Sequence, residues 1–122
     1  MARTRVTEAD LKQGLLRALA DAQSLRILNA LVRAPLSATQ LIHQERLPSS
    51  STYRHLRDLL SHGIIVIDRT VIRPDGKVFQ TYRSAFADVK VSMHAGEVFV
   101  DAEPTVESMD RAFRLFHSFD KE

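Results

Sequence analysis

A run of hydroxyl groups followed by an aromatic ring and two guanidinium groups is the most chemically distinctive feature of this sequence. On a helix, residues three apart share a face, so the two arginines lie one turn apart on the same side. A guanidinium group donates paired hydrogen bonds to a phosphate or to the edge of guanine, and short hydroxyl side chains allow close approach. The run therefore indicates nucleic-acid chemistry, and its members are Ser49, Ser50, Ser51, Tyr53, Arg54 and Arg57.

A second pair of cations encloses a short turn. Arg73 and Lys77 stand on either side of Pro74-Asp75-Gly76, in which proline presets φ and glycine allows positive φ. The β-branched run of residues 64–67 and the stretch of residues 78–83 predict the strands that this turn joins. The result is a hairpin with a basic tip, residues 71–78, that would reach a neighbouring phosphate backbone or minor groove.

Helices are expected to position the Ser49–Arg57 run and the basic hairpin. Apolar spacing predicts a first helix over residues 7–19, capped by Thr7, and a second over 22–32, capped by Asp21. On the second helix we expect an inward face made by Leu25, Leu28, Leu31 and Val32.

Two further helices follow on either side of a short turn. Ser37 and Gln40 have the spacing of a capping box and begin a third helix, which Leu47-Pro48 ends. A fourth helix covers residues 49–62, with Gly63 as its C-terminal stop. On this helix, Thr52 and Leu56 belong to the buried face and the arginines to the exposed one.

The remainder of the chain predicts a second hairpin and a last helix. Apolar residues alternate with polar ones over residues 89–94, the chain turns at Ala95-Gly96, and a return strand follows. We expect this second hairpin to pack on the sheet of the first, basic-tipped hairpin (the wing) or to join a dimer interface. The last helix, over residues 104–119, carries an apolar stripe spaced by three and four: Val106, Met109, Phe113 and Phe116.

Composition narrows the class of protein. The 122 residues include no cysteine, which excludes disulfides, cysteine nucleophiles and thiolate metal sites. Residues 1–85 hold 13 Lys and Arg against 7 Asp and Glu, whereas residues 86–122 hold 4 against 8. A basic front and an acidic rear are typical of a protein that turns one face to a polyanion. No signal peptide or membrane span is recognisable, so we expect a cytoplasmic, nucleoid-associated protein.

A short helix, a turn, a second helix with a polar start and a hairpin with a basic tip follow one another in the order of a winged helix-turn-helix. The expected fold class is α+β. Residues 1–86 would form this DNA-binding unit. Residues 87–122 would add the extra hairpin and a C-terminal dimerisation helix to the same compact body.

The stretch Ser51-Thr52-Tyr53-Arg54-His55-Leu56 and the spacing of Leu59, Leu60, Gly63 and Ile64 resemble the recognition helix of ArsR-like winged-helix regulators. Residues 25–28 and 36–41 resemble the helices that precede it, so the likeness covers about residues 20–85. The resemblance implies a homodimer on a palindromic operator, a repressor, and base-facing positions at Ser49, Ser50, Tyr53 and Arg54. It also implies a dimer interface from the first and last helices: Leu11, Leu15, Met109, Phe113 and Phe116.

The chain departs from the metal-sensing members of that family. It has no cysteine, and its last helix offers only Asp110 and His117, without paired ligand spacing. We therefore expect no metal and no cofactor. No nucleophile elbow, phosphate-binding glycine loop or H-E-x-x-H motif is found, so we expect no enzyme activity.

Two other functions fit the same pattern. A winged helix also serves as a protein-binding module in transcription assemblies, because the fold alone does not imply DNA. A weakly specific, chromatin-type DNA binder is the other alternative, although the net charge of +2 is small for one.

Overall fold

The computed structural model describes residues 3–105, which form four helices and six strands. The helices are α1 (Ala9–Ala20), α2 (Ala22–Arg33), α3 (Ala38–Glu45) and α4 (Ser49–Ser61). The strands are β1 (Thr4–Arg5), β2 (Leu36–Ser37), β3 (Ile65–Ile72), β4 (Val78–Ser84), β5 (Phe86–His94) and β6 (Glu97–Pro104).

The first sheet holds the wing, the hairpin of β3 and β4. Its order is β2-β4-β3, and both pairings are antiparallel. The amide of Gly76 donates to the carbonyl of Arg73 at 2.9 Å, and the amide of Arg73 donates to the carbonyl of Lys77 at 2.8 Å. Gly76 takes a φ of 84°, as the predicted turn requires. Together with α3 and α4, this sheet makes a winged helix-turn-helix in an α+β fold.

The second sheet joins the second hairpin to the start of the chain. Its order is β1-β6-β5, so the hairpin pairs with β1 rather than with the wing strands. Val100 and Ala102 of β6 are buried, and Val100 belongs to the same core cluster as the helices. The hairpin therefore closes one side of the helical core, as its alternating apolar residues allow.

The core lies where the helices meet both sheets. Its members come from all four helices, from the α3–α4 turn, from the start of β3 with the residue before it, and from β6. Among them are Leu15, Ile27, Leu31, Leu41, Leu47, Leu56, Leu59, Ile64, Ile65 and Val100. Burying each large aliphatic side chain stabilises the fold by about 1.5–3 kcal/mol before entropy is counted. This burial fixes which face of each helix points outward.

Two predicted helix caps are confirmed and one is wrong. Ser37 Oγ accepts from the amide of Gln40 at 3.1 Å and Gln40 Oε1 accepts from the amide of Ser37 at 2.8 Å, which completes the capping box. Asp21 caps α2. Thr7 does not cap α1, because the carboxylate of Glu8 accepts from the amides of Asp10 and Leu11 instead.

Two predicted positions are corrected by burial. Val32 is 42% exposed, because the buried face of α2 is centred on Ile27, Leu28 and Leu31. Leu15, predicted for the dimer interface, is 1% exposed and packs in the core of its own chain. Leu11 is partly exposed and its interface role stays a prediction. Met109, Phe113, Phe116 and the last helix lie outside the described residues.

A glycine in the middle of α1 allows the end of α4 to come close. A Cβ atom on Gly14 would lie 2.8 Å from Cδ2 of His62 and 3.2 Å from its Cβ. His62 is held there because its Nδ1 lies 2.9 Å from the carbonyl oxygen of Asp58. The spacing between α1 and the C-terminal end of α4 therefore depends on the absence of a side chain at position 14.

We expect Gly14→Ala to destabilise the protein by about 1–3 kcal/mol through overpacking. If His62 were not close to position 14, replacing a mid-helix glycine with alanine would stabilise the protein by about 0.5–1 kcal/mol. Urea denaturation measures the difference. Adding His62→Ala to Gly14→Ala should recover part of the loss. A Gly14→Ala protein that is more stable than the wild type would contradict the close approach.

Candidate nucleic-acid interface

The helix-turn-helix places the start of α4 at the surface. Residues 46–48 link α3 to α4, and Arg46 adopts the left-handed conformation with a φ of 53°. Pro48 occupies the N-cap position of α4 and provides no side-chain hydrogen bond, while Leu47 before it is buried. The first amides of α4 therefore keep their donors free of a side-chain cap, a favourable arrangement for a phosphate oxygen.

The predicted hydroxyl groups lie at this end of the helix. Ser49 and Ser50 are exposed and Ser51 is half-buried, its Oγ donating to the carbonyl of Pro48 at 3.4 Å. Small side chains at the first turn leave the backbone amides accessible. The structure therefore brings Ser49 and Ser50 together at an open helix terminus and turns Ser51 partly inward.

Arg54 and Arg57 occupy the exposed face of α4. Within residues 3–105, no hydrogen bond or ion pair engages either guanidinium group. Asp58 is the one acidic residue of α4, and its carboxylate forms no ion pair with either arginine in the described part of the chain. Two exposed cations one turn apart are thus available to an anionic partner.

Tyr53 lies on the exposed face of α4, beside Arg54 in the chain. Its side chain is 49% exposed. Burial raises the pKa of Tyr82 on β4, and the nearby Tyr53 raises that pKa further. Tyr53 of α4 and Tyr82 of β4 are therefore near enough for their charges to interact.

The opposite face of α4 is anchored in the core. Thr52, Leu56 and Leu59 are buried, which confirms the core positions predicted for Thr52 and Leu56. Among the described residues the Thr52 hydroxyl has no hydrogen-bond partner, so this side chain contributes through packing. Because these three residues fix the rotation of the helix, Arg54 and Arg57 must point away from the body of the protein.

His55 adds a polar anchor between α4 and the start of α2. Its Nδ1 lies 3.2 Å from Ser24 Oγ, and its Nε2 lies 3.1 Å from Gln23 Oε1. Asp21 Oδ2 is 3.6 Å from the same Nε2 and also accepts from the amide of Ser24 at 2.8 Å. One carboxylate therefore caps α2 and faces the imidazole of His55 on α4.

The wing carries the second predicted group of cations. Arg73 lies over the ring of Phe79, with its guanidinium carbon 6.0 Å from the ring centroid. Lys77 is exposed, and its amide donates to Asp75 Oδ1 at 3.0 Å within the turn. Both cations lie at the outer end of the hairpin. The stacking on Phe79 holds Arg73 along one face of the wing.

Acidic residues near the wing are paired with neighbours. The carboxylate of Asp68 lies at a bulge in β3, accepts from Thr81 Oγ1 at 3.3 Å and forms an ion pair with Arg83 at 3.4 Å. The negative charge at the base of the wing is thereby offset. The outer wing keeps Arg69, Arg73 and Lys77 exposed against one exposed carboxylate, that of Asp75.

Other kinds of site find little support in the described part of the chain. Residues 3–105 contain no group of three His, Asp or Glu side chains placed to hold a metal ion. Two open hollows of about 270 and 180 Å³ lie on the surface of this part, the smaller lined by His55, His62 and Asp58 among others. None of the four helices is both long and apolar enough to cross a membrane.

Sequence reasoning missed the partners of His55 and the bare apolar tip of the wing. The link from His55 to Asp21, Gln23 and Ser24 spans more than 30 positions and has no local signal. Val78 is predicted only as the first residue of the return strand, and Ile72 is included only in the hairpin range of residues 71–78. Their position beside Arg73 and Lys77 is the signal that could have drawn attention to them.

With the winged helix-turn-helix established by its own topology, the chain can be compared with solved structures. HlyU from Vibrio cholerae is 19% identical with a TM-score of 0.43, and the match covers 95% of this chain and 98% of that one. NolR from Sinorhizobium fredii is 19% identical with a TM-score of 0.43, covering 92% and 87%. An ArsR family transcriptional regulator is 15% identical with a TM-score of 0.42, covering 91% and 93%. No family model and no curated protein matches the sequence.

We expect His55→Ala to destabilise the protein by about 1–3 kcal/mol, because it leaves the buried Ser24 hydroxyl without its partner. His55→Gln should lose less stability than His55→Ala, since the side-chain amide of glutamine can accept a hydrogen bond from Ser24 Oγ. Urea denaturation midpoints of the two variants provide the comparison. Equal midpoints for wild type and His55→Ala would show that the polar anchor contributes nothing.

The hydrogen bond from the amide of Ser24 holds the pKa of Asp21 below its ordinary value, and the neighbouring His55 lowers it further. A carboxyl group with a depressed folded pKa stabilises above its unfolded pKa of about 3.9, and this stabilisation is lost as the pH falls through the folded value. Asp21→Asn keeps a capping side chain. We expect its stability to fall less steeply than that of the wild type below pH 4, measured by thermal unfolding. If the stabilities of wild type and Asp21→Asn fell equally steeply below pH 4, the depressed pKa of Asp21 would not be a source of stability.

Proposed function

We propose that this protein is a dimeric, sequence-specific DNA-binding transcription regulator, and a repressor. In this proposal α4 enters the major groove and the wing contacts the adjacent backbone or minor groove. The supporting observation is the geometry of α4. Leu56 and His55 fix its buried face, and its other face presents two arginines that no side chain of residues 3–105 pairs, beside an N-terminus without a side-chain cap. Such a helix end matches the way recognition helices reach base edges.

Each predicted DNA-binding residue has a role in this arrangement. Ser49 and Ser50 at the first turn face base edges, while Ser51 and the uncapped amides of that turn lie beside phosphate oxygens. Tyr53, Arg54 and Arg57 face the bases, where a bidentate arginine selects guanine. Arg73 and Lys77 on the wing bind backbone phosphates on the neighbouring segment. Phosphate contacts would thus fix the position of the protein on the duplex, and base contacts from α4 would give the sequence specificity.

A homodimer completes the proposal. Two copies related by a two-fold axis would place their recognition helices about one helical turn apart on a palindrome. Leu11 is partly exposed on α1 and fits an interface position, with Met109, Phe113 and Phe116 as its proposed partners. Repression would follow if the occupied operator overlaps a promoter. We propose the nucleoid as the site of action.

Selection from a random duplex library, read at two salt concentrations, tests the proposal first. Recovery of a palindrome with half-sites about one turn apart supports a sequence-specific dimer. Weak, motif-free and steeply salt-dependent binding would instead support a chromatin-type protein. Sedimentation of the free protein measures the oligomeric state independently of DNA.

We expect Arg54→Ala and Arg57→Ala each to weaken operator binding by about 1–3 kcal/mol if the arginine reads a base. Arg73→Ala and Lys77→Ala should weaken binding to all duplexes alike and each lower the salt slope by about 1. Fluorescence anisotropy at several salt concentrations separates these two effects. Arg33→Ala is the control, because Arg33 is exposed at the far end of α2 from His55.

Unchanged affinity and salt slope in Arg54→Ala and Arg57→Ala would exclude α4 as the reading helix. The second candidate, a protein-binding winged helix, would then gain support. The observation in its favour is the exposed apolar strand residues Val91 and Met93, which face outward on the second hairpin. Capture of a transcription-assembly subunit that DNA does not displace, and that Met93→Thr abolishes, would identify that function.

A further inference from the structure

The outer end of the wing carries an apolar pair that the fold itself does not cover. Ile72 and Val78 face each other across the two strands in the last pair before the turn. Ile72 is 72% exposed and Val78 is 61% exposed. A large aliphatic side chain in water forgoes the free energy of burial, so a doubly exposed pair at a projecting tip indicates a surface that a partner covers.

The two faces of the wing tip differ. On one face, the ring of Phe79 lies under the guanidinium group of Arg73, which covers it from solvent in part. The pair of Ile72 and Val78 alternates with these residues and so belongs to the other face, which no side chain of residues 3–105 closes over. Phe79 keeps 38% of its surface exposed, against 72% for Ile72 and 61% for Val78, so the face with the aliphatic pair is the barer of the two.

The charge around the pair defines what kind of partner fits. Arg73 follows Ile72 and Lys77 precedes Val78 in the chain, so the tip of the hairpin that carries the apolar pair also carries two exposed cations. The carboxylate of Asp75 is turned back to the amide of Lys77 within the turn. An apolar pair between cations is suited to a partner that is both anionic and able to accept aliphatic groups. Two like-charged copies of this tip would repel each other.

The wing is long enough to bring the pair to a groove beside α4. Ile65, at the start of β3, is buried, and Ile72 stands seven residues further along the strand. At about 3.3 Å per residue, and allowing for the bulge near Asp68, the pair lies roughly 20 Å beyond the core. This reach is comparable to the width of a DNA duplex, whose minor groove accepts aliphatic wedges between base steps.

We propose that Ile72 and Val78 form an aliphatic wedge that enters the minor groove of the bound duplex, parts one base step and bends the DNA. This inference rests on the proposed DNA-binding function and adds deformation of the duplex to it. Arg73 and Lys77 hold the flanking phosphates while the wedge is inserted. Sequences with an easily unstacked pyrimidine–purine step under the wing are preferred without any hydrogen bond to those bases.

The test compares Ile72→Thr/Val78→Thr with the wild type on the duplex recovered by selection. Threonine keeps the β-branch that favours a strand but removes the aliphatic wedge. The matched control is Val91→Thr/Met93→Thr, which changes two exposed apolar residues on the second hairpin instead. End-to-end energy transfer across the duplex gives the bend angle, and anisotropy gives the affinity and its salt slope.

We expect the wild type and the control to bend the duplex by about 20–90° and the wedge variant to lose at least half of that bend. Its affinity should fall about tenfold with an unchanged salt slope, because the phosphate contacts remain. A straight duplex in the wild-type complex, or an equal bend with the wedge variant, would overturn the wedge while leaving the regulator function intact.

Failure of the wild type to bind any duplex would overturn both the wedge and the proposed function. A lipid surface is the other anionic partner that accepts aliphatic groups, and vesicles of phosphatidylserine and phosphatidylcholine test it. Sedimentation of the protein with these vesicles, lost in the wedge variant and accompanied by no DNA bending, would replace the wedge with a membrane contact.

Discussion

The burial of one face of α4 is the constraint on which the rest of the site depends. Thr52, Leu56 and Leu59 are fixed in the core, so the helix has one allowed rotation, and this rotation sends Arg54 and Arg57 outward. An exposed charged face on a rigid support costs little reorganisation when a partner binds. The same packing explains why the serines at the first turn of α4 meet solvent.

Polar contacts fix the position of α4 more exactly than the apolar core alone does. His55 joins α4 to the first turn of α2 through Ser24 and Gln23, at the point where Asp21 caps that turn. Hydrogen bonds are directional and hydrophobic contacts are not, so this network selects one position along the helix axis. Gly14 and His62 perform a related task at the other end of α4, where the absence of a Cβ lets α1 come close.

The wing combines two kinds of contact in one hairpin. Its base is bound to the core through Ile65 and Ser84, and its tip carries cations next to a bare aliphatic pair. The second sheet has a different role, because Val100 and Ala102 close the core and tie the start of the chain to it. The two hairpins thus look alike in sequence but are used differently.

Local physical chemistry let the sequence by itself determine much of this protein. The capping box at Ser37, the turn at Gly76 and the apolar face of α4 each depend on residues within a few positions of one another, and each was predictable. Tertiary structure alone decided the burial of Leu15, the exposure of Val32, the pairing of β1 with β6 and the partners of His55. These features join segments far apart in the chain, and no local pattern states which surfaces will meet when a helix has more than one apolar face.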